Sequence, residues 1–315
     1  MDIGILLALQ NLREAIGGCL DSFFAFITTI SVDYYIMLPG LILFWAFDKR
    51  AGTIGLGSYG TASYGVSALK STFCVYRPWI RSDLIKPLPE VMSGATGYSF
   101  PSGHSASVSG MYGGLMGVYR KRKGLCVFLC VMIALTMFSR LYVGVHTPQD
   151  VLAGLLVGVA GTALVLLADR FVTRHPKLDW VIVLIVAAMC AALLPYMYFK
   201  SYPMDYVNGE LLVDPTKMTV GGFKDPGRFF GVALGWFIER RFVRFDTDGT
   251  TYQKLMRCIV GALLFIGYWN IVMEPLGKAI GIGIVHFFLQ ASAPLLFMTV
   301  YPLIFKHIEK ISKKQ

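Results

Sequence analysis

Nine apolar stretches interrupt this sequence, at approximately 34–47, 53–73, 104–119, 124–145, 149–168, 180–199, 228–238, 255–273 and 279–305. An α-helix needs roughly 20 apolar residues to cross a bilayer, and backbone in hydrocarbon must satisfy its own hydrogen bonds. The expected fold class is therefore all-α: a polytopic transmembrane helix bundle of about nine spans, several of them short and the seventh the weakest. Of the 315 residues, 55% are hydrophobic and 15% charged, against about a quarter charged in a soluble domain.

The net charge of +10 would suit a nucleic-acid partner if the cations formed one surface. They do not. Lys49-Arg50, Arg120 to Lys123, Arg170 with Arg174 and Lys177, Arg240-Arg241 with Arg244, and the tail from Lys306 to Lys314 lie between apolar stretches or at the C-terminus. With nine crossings all these clusters fall on one face, as the positive-inside rule requires, so the expected partner is the bilayer and not nucleic acid. The N-terminus then lies outside. Asp2 stands where a signal peptide would be basic. Leu6, Leu9, Leu12, Ile16 and Leu20 recur at helical spacing among Gln10, Arg13 and Glu14, which predicts an N-terminal interfacial amphipathic helix on the outer surface.

The polar residues that remain are concentrated. Lys70 and Arg77, then Pro101-Ser102-Gly103-His104, then Ser139-Arg140 with His146 and Asp150 place three cations, two histidines and a carboxylate within about eighty residues. Cations cost roughly 2.5 to 3.5 kcal/mol each at the centre of a membrane helix, and three on one face require an anion. Arg77 and Arg140 offer planar forks to phosphate oxygens and Lys70 a compact charge. Ser102-Gly103 stands at a helix start, where free amides and the helix dipole favour the same anion. His146 and Asp150, four residues apart, share a helix face, so the carboxylate can hold one imidazole nitrogen while the other attacks phosphorus. His104 can protonate the leaving oxygen.

Plainer readings stay open for each piece. Pro-Ser-Gly can be an ordinary helix start with His104 in its first turn. Thr147-Pro148-Gln149-Asp150 reads as a capping box, and Asp150 is expected to serve both there and at His146. Arg140 can snorkel to headgroups. The six cysteines show no metal spacing, so neither a disulfide, a metal site nor another cofactor is expected.

Lys70 through Arg77-Pro78, then Pro101-Ser102-Gly103-His104, then Ser139-Arg140 through His146 to Asp150, resembles the complete signature of the type 2 phosphatidic acid phosphatase superfamily. The resemblance spans Lys70 to Asp150 without a departure. It implies a covalent phosphohistidine on His146, His104 as acid then base, Asp150 orienting His146, and Lys70, Arg77, Ser102, Gly103 and Arg140 holding the phosphoryl group; vanadate, a trigonal bipyramidal oxyanion like the transition state those groups would hold, is expected to inhibit. The family's simplest lipid phosphatases have six spanning helices; here an interfacial helix replaces the first. Nine helices with the N-terminus outside is similar to the glucose-6-phosphatase and sphingosine-phosphate phosphatase branches.

The expected organisation is an interfacial segment at 1–32, a catalytic bundle at 33–178 and a C-terminal transmembrane extension at 179–315. Glycines four apart, among them Gly154 with Gly158 and Gly227 with Gly231 and Gly235, read as helix-packing stripes. The outer connection from Lys200 to Pro226, with Asp205, Glu210, Asp214, Lys217, Lys224 and Asp225, reads as either a lid or a solvated connector. The expected activity is hydrolysis of a lipid phosphate or pyrophosphate, such as undecaprenyl pyrophosphate or phosphatidate, in a bacterial cytoplasmic membrane with the site facing outward. Phosphotransfer to another acceptor, a sugar-phosphate substrate, and a transporter or flippase that only binds remain as alternatives.

Overall fold

The computed structural model describes residues 2–92, 94–95, 97–207 and 210–312. Lys314 of the basic tail and the side chain of Glu210 in the connection from Lys200 to Pro226 lie outside what is described. The chain starts with α1 (Asp2–Ala15) and α2 (Asp21–Thr29), followed by α3 (Asp33–Ile42), which runs into a π-helical turn at Leu43–Phe47. Next come α4 (Lys49–Phe73), two single turns, α5 (Pro78–Arg81) and α6 (Pro89–Met92), and then α7 (Gly103–Val118), α8 (Lys123–Tyr142) and α9 (Pro148–Arg174). The C-terminal half holds α10 (Asp179–Phe199), α11 (Pro215–Gly222), α12 (Lys224–Ile238, continued by a π turn to Val243), α13 (Thr251–Tyr268) with its π turn to Met273, α14 (Glu274–Ala279), α15 (Gly283–Met298) and α16 (Val300–Ser312). Among the described residues the only strands form a small hairpin that pairs Tyr206 with Leu211 and Val207 with Glu210.

The nine apolar stretches are largely helical, the ninth running from the end of α14 through α15 into α16, but they divide into two kinds. Among the described residues five helical segments, Lys123–Tyr142, Pro148–Arg174, Pro176–Phe199, Thr251–Ala279 and Gly283–Ile311, are long and apolar enough to cross a membrane, and α2 with α3 makes a sixth if that pair, bent by 59°, is one span. α4, α7 and α12 do not qualify. α4 is about 37 Å long at 1.5 Å per residue, yet it is rich in Gly, Ser and Thr because it sits at the centre of the bundle against α3, α7, α9 and α12. A helix surrounded by other helices needs small residues for close approach more than apolar ones for lipid. On α9, a Cβ at Gly154 would stand 2.5 Å from the Ser102 carbonyl oxygen, and one at Gly158 2.4 Å from Ser109 Cβ, so these glycines let α9 press onto the start of α7. On α12, a Cβ at Gly227 or Gly231 would stand 2.2 Å from a carbonyl oxygen of α15.

The two ends of the bundle differ in chemistry. At one end Arg50 pairs with Asp169 at 2.6 Å, Lys49 with Glu239 at 2.8 Å, Arg240 and Arg241 with the buried Asp179, and Arg257 with Glu309, while Tyr119 donates to Asp48. These contacts gather the start of α4, the ends of α7, α9, α12 and α16 and the starts of α10 and α13. The basic clusters thus share one end, and the starts of α7 and α9 with the end of α4 share the other.

The N-terminal segment departs from the single amphipathic helix expected of it. Gly17 and Gly18 adopt φ of +62° and +68°, a left-handed conformation that ends α1, so Ile16 and Leu20 are not on the same helix as Leu6. Leu6 is buried, and the polar residues between the leucines also turn inward: Arg13 donates to the Lys86 carbonyl at 2.9 Å, and Gln10 accepts from the Lys86 amide at 2.8 Å. α2 then packs on α8, where Phe24 lies 4.4 Å from the Tyr142 ring and Tyr142 donates to Asp21.

Candidate active site

Three chain segments converge where α4 ends and α7 and α9 begin. Ser102 is the N-cap of α7, its Oγ accepting from the Ser105 amide at 3.4 Å. Thr147 caps α9 in a capping box with Asp150, whose Oδ2 accepts from the Thr147 amide at 2.7 Å. The two helix starts are joined directly, because the Ser102 amide donates to the Asp150 carbonyl at 2.8 Å. Both positive dipole ends therefore face one small volume.

His146 sits just ahead of α9 and is 1% exposed. Its Nδ1 lies 3.5 Å from Asp150 Oδ2 and 3.3 Å from Ser99 Oγ, while Ser99 Oγ donates to that same carboxylate oxygen at 2.6 Å. Asp150 thus caps α9 and lies beside the imidazole, with Ser99 bridging the two side chains. On the other edge of the ring, Arg77 Nη1 lies 2.9 Å from Nε2. A guanidinium only donates, so Nε2 carries the lone pair and Nδ1 the proton. That tautomer presents a nucleophilic nitrogen toward the cations.

The cations are held by neutral oxygens. Arg77 also donates to the carbonyls of Val145 at 2.9 Å and Gly97 at 3.1 Å, Lys70 donates to the carbonyls of Tyr98 and Ser99, and Arg140 donates to Thr28 Oγ1. Arg140 is 2% exposed, and its Nε has no hydrogen-bond partner among the described residues. A buried unpaired N–H costs roughly 1–3 kcal/mol unless a ligand takes it. Lys70 is within electrostatic range of Arg77, Arg140 and Asp150, and His104 of Arg140, His146, Arg77 and Lys70, so every residue singled out in the sequence lies in this one place. One detail is narrower than expected. Since the Ser102 amide is committed to Asp150, the first-turn amides without a partner among the described residues are those of Gly103 and His104, leaving Ser102 its hydroxyl. A Cβ at Gly103 would meet only Val66 Cγ1, at 3.8 Å, so the protein itself leaves room there for a ligand to approach the backbone.

A cavity of about 360 Å³ adjoins the site, lined by Gly103, His104, Ser107, Arg140 and Thr28 and, from α12, Asp225 and Arg228. A larger cavity of about 500 Å³ lies at the basic end, among Lys49, Arg50, Arg240 and Arg244, and contains none of these groups. The connection from Lys200 to Pro226 packs beside the site: Tyr76 donates to Asp205, Tyr98 stacks on Tyr202 and Lys200 donates to the Thr72 carbonyl. Burial and the bond to Asp205 push the Tyr76 phenol up to about 12, so it remains a donor at neutral pH. Ser99, Thr28 and the α12 pair carried no motif. The one trace in the sequence was that Ser99 is the polar residue just ahead of the Pro101-Ser102-Gly103-His104 run.

The site and its helical frame define a class. The profile of the PAP2 superfamily matches residues 51–174, and that of the PAP2 superfamily phosphatase transmembrane extension matches residues 223–314. The chain belongs to the PAP2 superfamily and is a multi-pass membrane protein. It is 28% identical over 140 residues to an undecaprenyl-diphosphatase of Sulfolobus acidocaldarius, covering 44% of this chain and 66% of that protein. It is 37% identical over 65 residues to a lipid A 4'-phosphatase of Bacteroides thetaiotaomicron, covering 21% of this chain and 28% of that one. With the undecaprenyl-diphosphatase BcrC of Bacillus subtilis it shares 29% identity over 161 residues, 50% of this chain and 79% of the relative. The chain thus spans a little under two thirds of the first of these relatives and far less of the second. No solved structure matches it.

A pocket built to hold a phosphoryl group in trigonal bipyramidal geometry should bind orthovanadate. Arg140→Gln removes a fixed charge and the unpaired Nε donor, and vanadate affinity, followed by calorimetry on the purified protein in detergent, should fall at least about tenfold. Unchanged affinity would remove Arg140 from the anion site.

Proposed function

We propose that this protein is an integral-membrane phosphatase that hydrolyses a lipid phosphate or lipid pyrophosphate through a phosphohistidine on His146, without a metal. The observation that carries this reading is the His146 ring, held by Asp150 and Ser99 at Nδ1 and facing Arg77 with Nε2. In the first step Nε2 attacks phosphorus, the bond from phosphorus to the leaving oxygen breaks, and His104 gives that oxygen a proton. The phosphoryl oxygens take over the guanidinium hydrogens of Arg77 and the Nε–H of Arg140, with Lys70 and the first-turn amides of α7 completing the shell. In the second step His104 takes a proton from water, the water oxygen bonds to phosphorus, the N–P bond breaks, and phosphate leaves. Asp150 stabilises the charge that the imidazole carries between the two steps. Three cations neutralise the phosphoryl group, so the chemistry needs no divalent ion, and an apolar bundle suits a substrate whose tail stays in the lipid.

The same reading orients the chain. The separation of a basic end from a catalytic end supports nine crossings, with the N-terminus and the site outside and the C-terminus inside a bacterial cytoplasmic membrane. α1 then rests at the outer interface, 33–178 forms the catalytic bundle, and 179–315 is an added membrane extension. Cysteine labelling of sealed cells, on a cysteine-free background, should modify a probe at Asp214 from outside and one at Lys121 only after permeabilisation. The opposite pattern would turn the site to the cytoplasm.

Activity tests the mechanism. Phosphate release from a lipid phosphate should persist in excess chelator; strict dependence on added magnesium would refute the metal-free route. His146→Ala should abolish turnover of lipid and aryl phosphates equally, because the nucleophile is gone. His104→Ala should cost far more with the lipid phosphate than with an aryl phosphate, whose good leaving group needs little protonation. A His146→Ala enzyme that retained turnover while His104→Ala did not would exchange the two roles.

A further inference from the structure

Arg228 of α12 is buried, at 7% exposed, in the wall of the cavity that also contains His104. An ionisable side chain inside a membrane bundle is costly and ordinarily faces a polar path or a ligand. It is held in place from three sides: Nε donates to Gln290 Oε1 at 2.7 Å, and Nη1 donates to Tyr59 Oη at 3.1 Å and to Asp225 Oδ1 at 3.3 Å. The other carboxylate oxygen of Asp225 accepts from Ser67 Oγ at 2.7 Å, so the group is anchored to α4 one turn before Lys70. None of these residues belongs to the three motifs.

In-line displacement puts the leaving oxygen opposite His146, on the side of His104. The cavity beyond His104 therefore receives the leaving group. A phosphate monoester leaves as an alcohol, which needs a proton and nothing more. A diphosphate leaves as a monophosphate that carries negative charge into the same space, where a fixed guanidinium stabilises it more as the P–O bond breaks. We propose that Arg228 is a specificity-determining residue that receives the leaving phosphate of a lipid diphosphate and gives the enzyme its preference for diphosphate over monophosphate substrates. The proposal rests on the phosphatase reading above. It assigns the membrane extension a direct part in substrate choice, with Gln290 and Tyr59 as positioning residues and Asp225 as the opposing charge that limits the attraction.

The test compares farnesyl diphosphate with farnesyl monophosphate, which differ only at the leaving group, by initial rates of phosphate release from full-length protein in detergent. Arg228→Gln should lower the diphosphate-to-monophosphate ratio of kcat/KM by at least about tenfold, and Arg228→Lys should recover part of it. Asp225→Asn keeps the shape, removes a repelling carboxylate and should raise the ratio; it serves as the second variant if Arg228→Gln fails to fold. A ratio unmoved by Arg228→Gln, parallel losses on both substrates, or a ratio unchanged or lowered by Asp225→Asn would reduce Arg228 to a packing contact and overturn the proposal. If the unaltered protein hydrolyses neither substrate, the phosphatase reading falls first and this inference with it.

Discussion

The hydrogen bond from the Ser102 amide to the Asp150 carbonyl, 2.8 Å long, joins the starts of two helices whose dipoles would otherwise repel. The contact exists because residue 154 is glycine: a Cβ there would stand 2.5 Å from the Ser102 carbonyl oxygen and hold α9 away. The result is a focus of positive potential, formed by two helix N-termini, Lys70, Arg77 and Arg140, with Asp150 the carboxylate set within it. The cations are held by carbonyl and hydroxyl oxygens, so the field is not cancelled before an anion arrives. Arg77 donates to His146 Nε2, and Arg140 Nε has no partner among the described residues, so the proposed phosphoryl group would meet one donor there that is not already engaged.

The rest of the bundle supports that focus from two directions. α4 runs through the centre and delivers Lys70 at one end and Lys49 with Arg50 at the other, tying the catalytic end to the basic end through one rigid element. α12 packs on both α4 and α15, its glycines meeting α15 backbone closely, and this brings the C-terminal half to the cavity wall beside His104. The extension matched at residues 223–314 is therefore continuous with the catalytic bundle in packing.

How much of this could be read in the sequence depended on whether a residue acts through its type or through its placement. His104, His146, Asp150 and the three cations were legible because charged groups in an apolar chain need a reason, and the capping box at Thr147 announced the start of α9. Ser99 was not legible, since a lone serine has no chemistry until folding sets it between His146 and Asp150. Arg228 lies in a stretch of modest apolarity and meets Tyr59 only after α12 packs on α4, a contact 169 residues apart in sequence. The free amide expected at Ser102 was spent on a partner from another helix start, which no local pattern predicts. In the frame of the molecule, hydropathy located the long helices but not α2 or the short α5, α6 and α11; it could not tell lipid-facing helices from the central α4, α7 and α12, and apolar spacing through residue 20 concealed the glycine turn that ends α1.

The central claim is that His146 carries the phosphoryl group. Protein mixed with a lipid phosphate, quenched in alkali within a turnover and digested, should yield one modified peptide by mass spectrometry, bearing an acid-labile, alkali-stable phosphate on His146. The adduct should accumulate further in His104→Ala, where the base that activates water is missing, with an aryl phosphate as donor. Phosphate found on another side chain, or turnover with no adduct at any quench time and incorporation of solvent oxygen with inversion at phosphorus, would contradict the account.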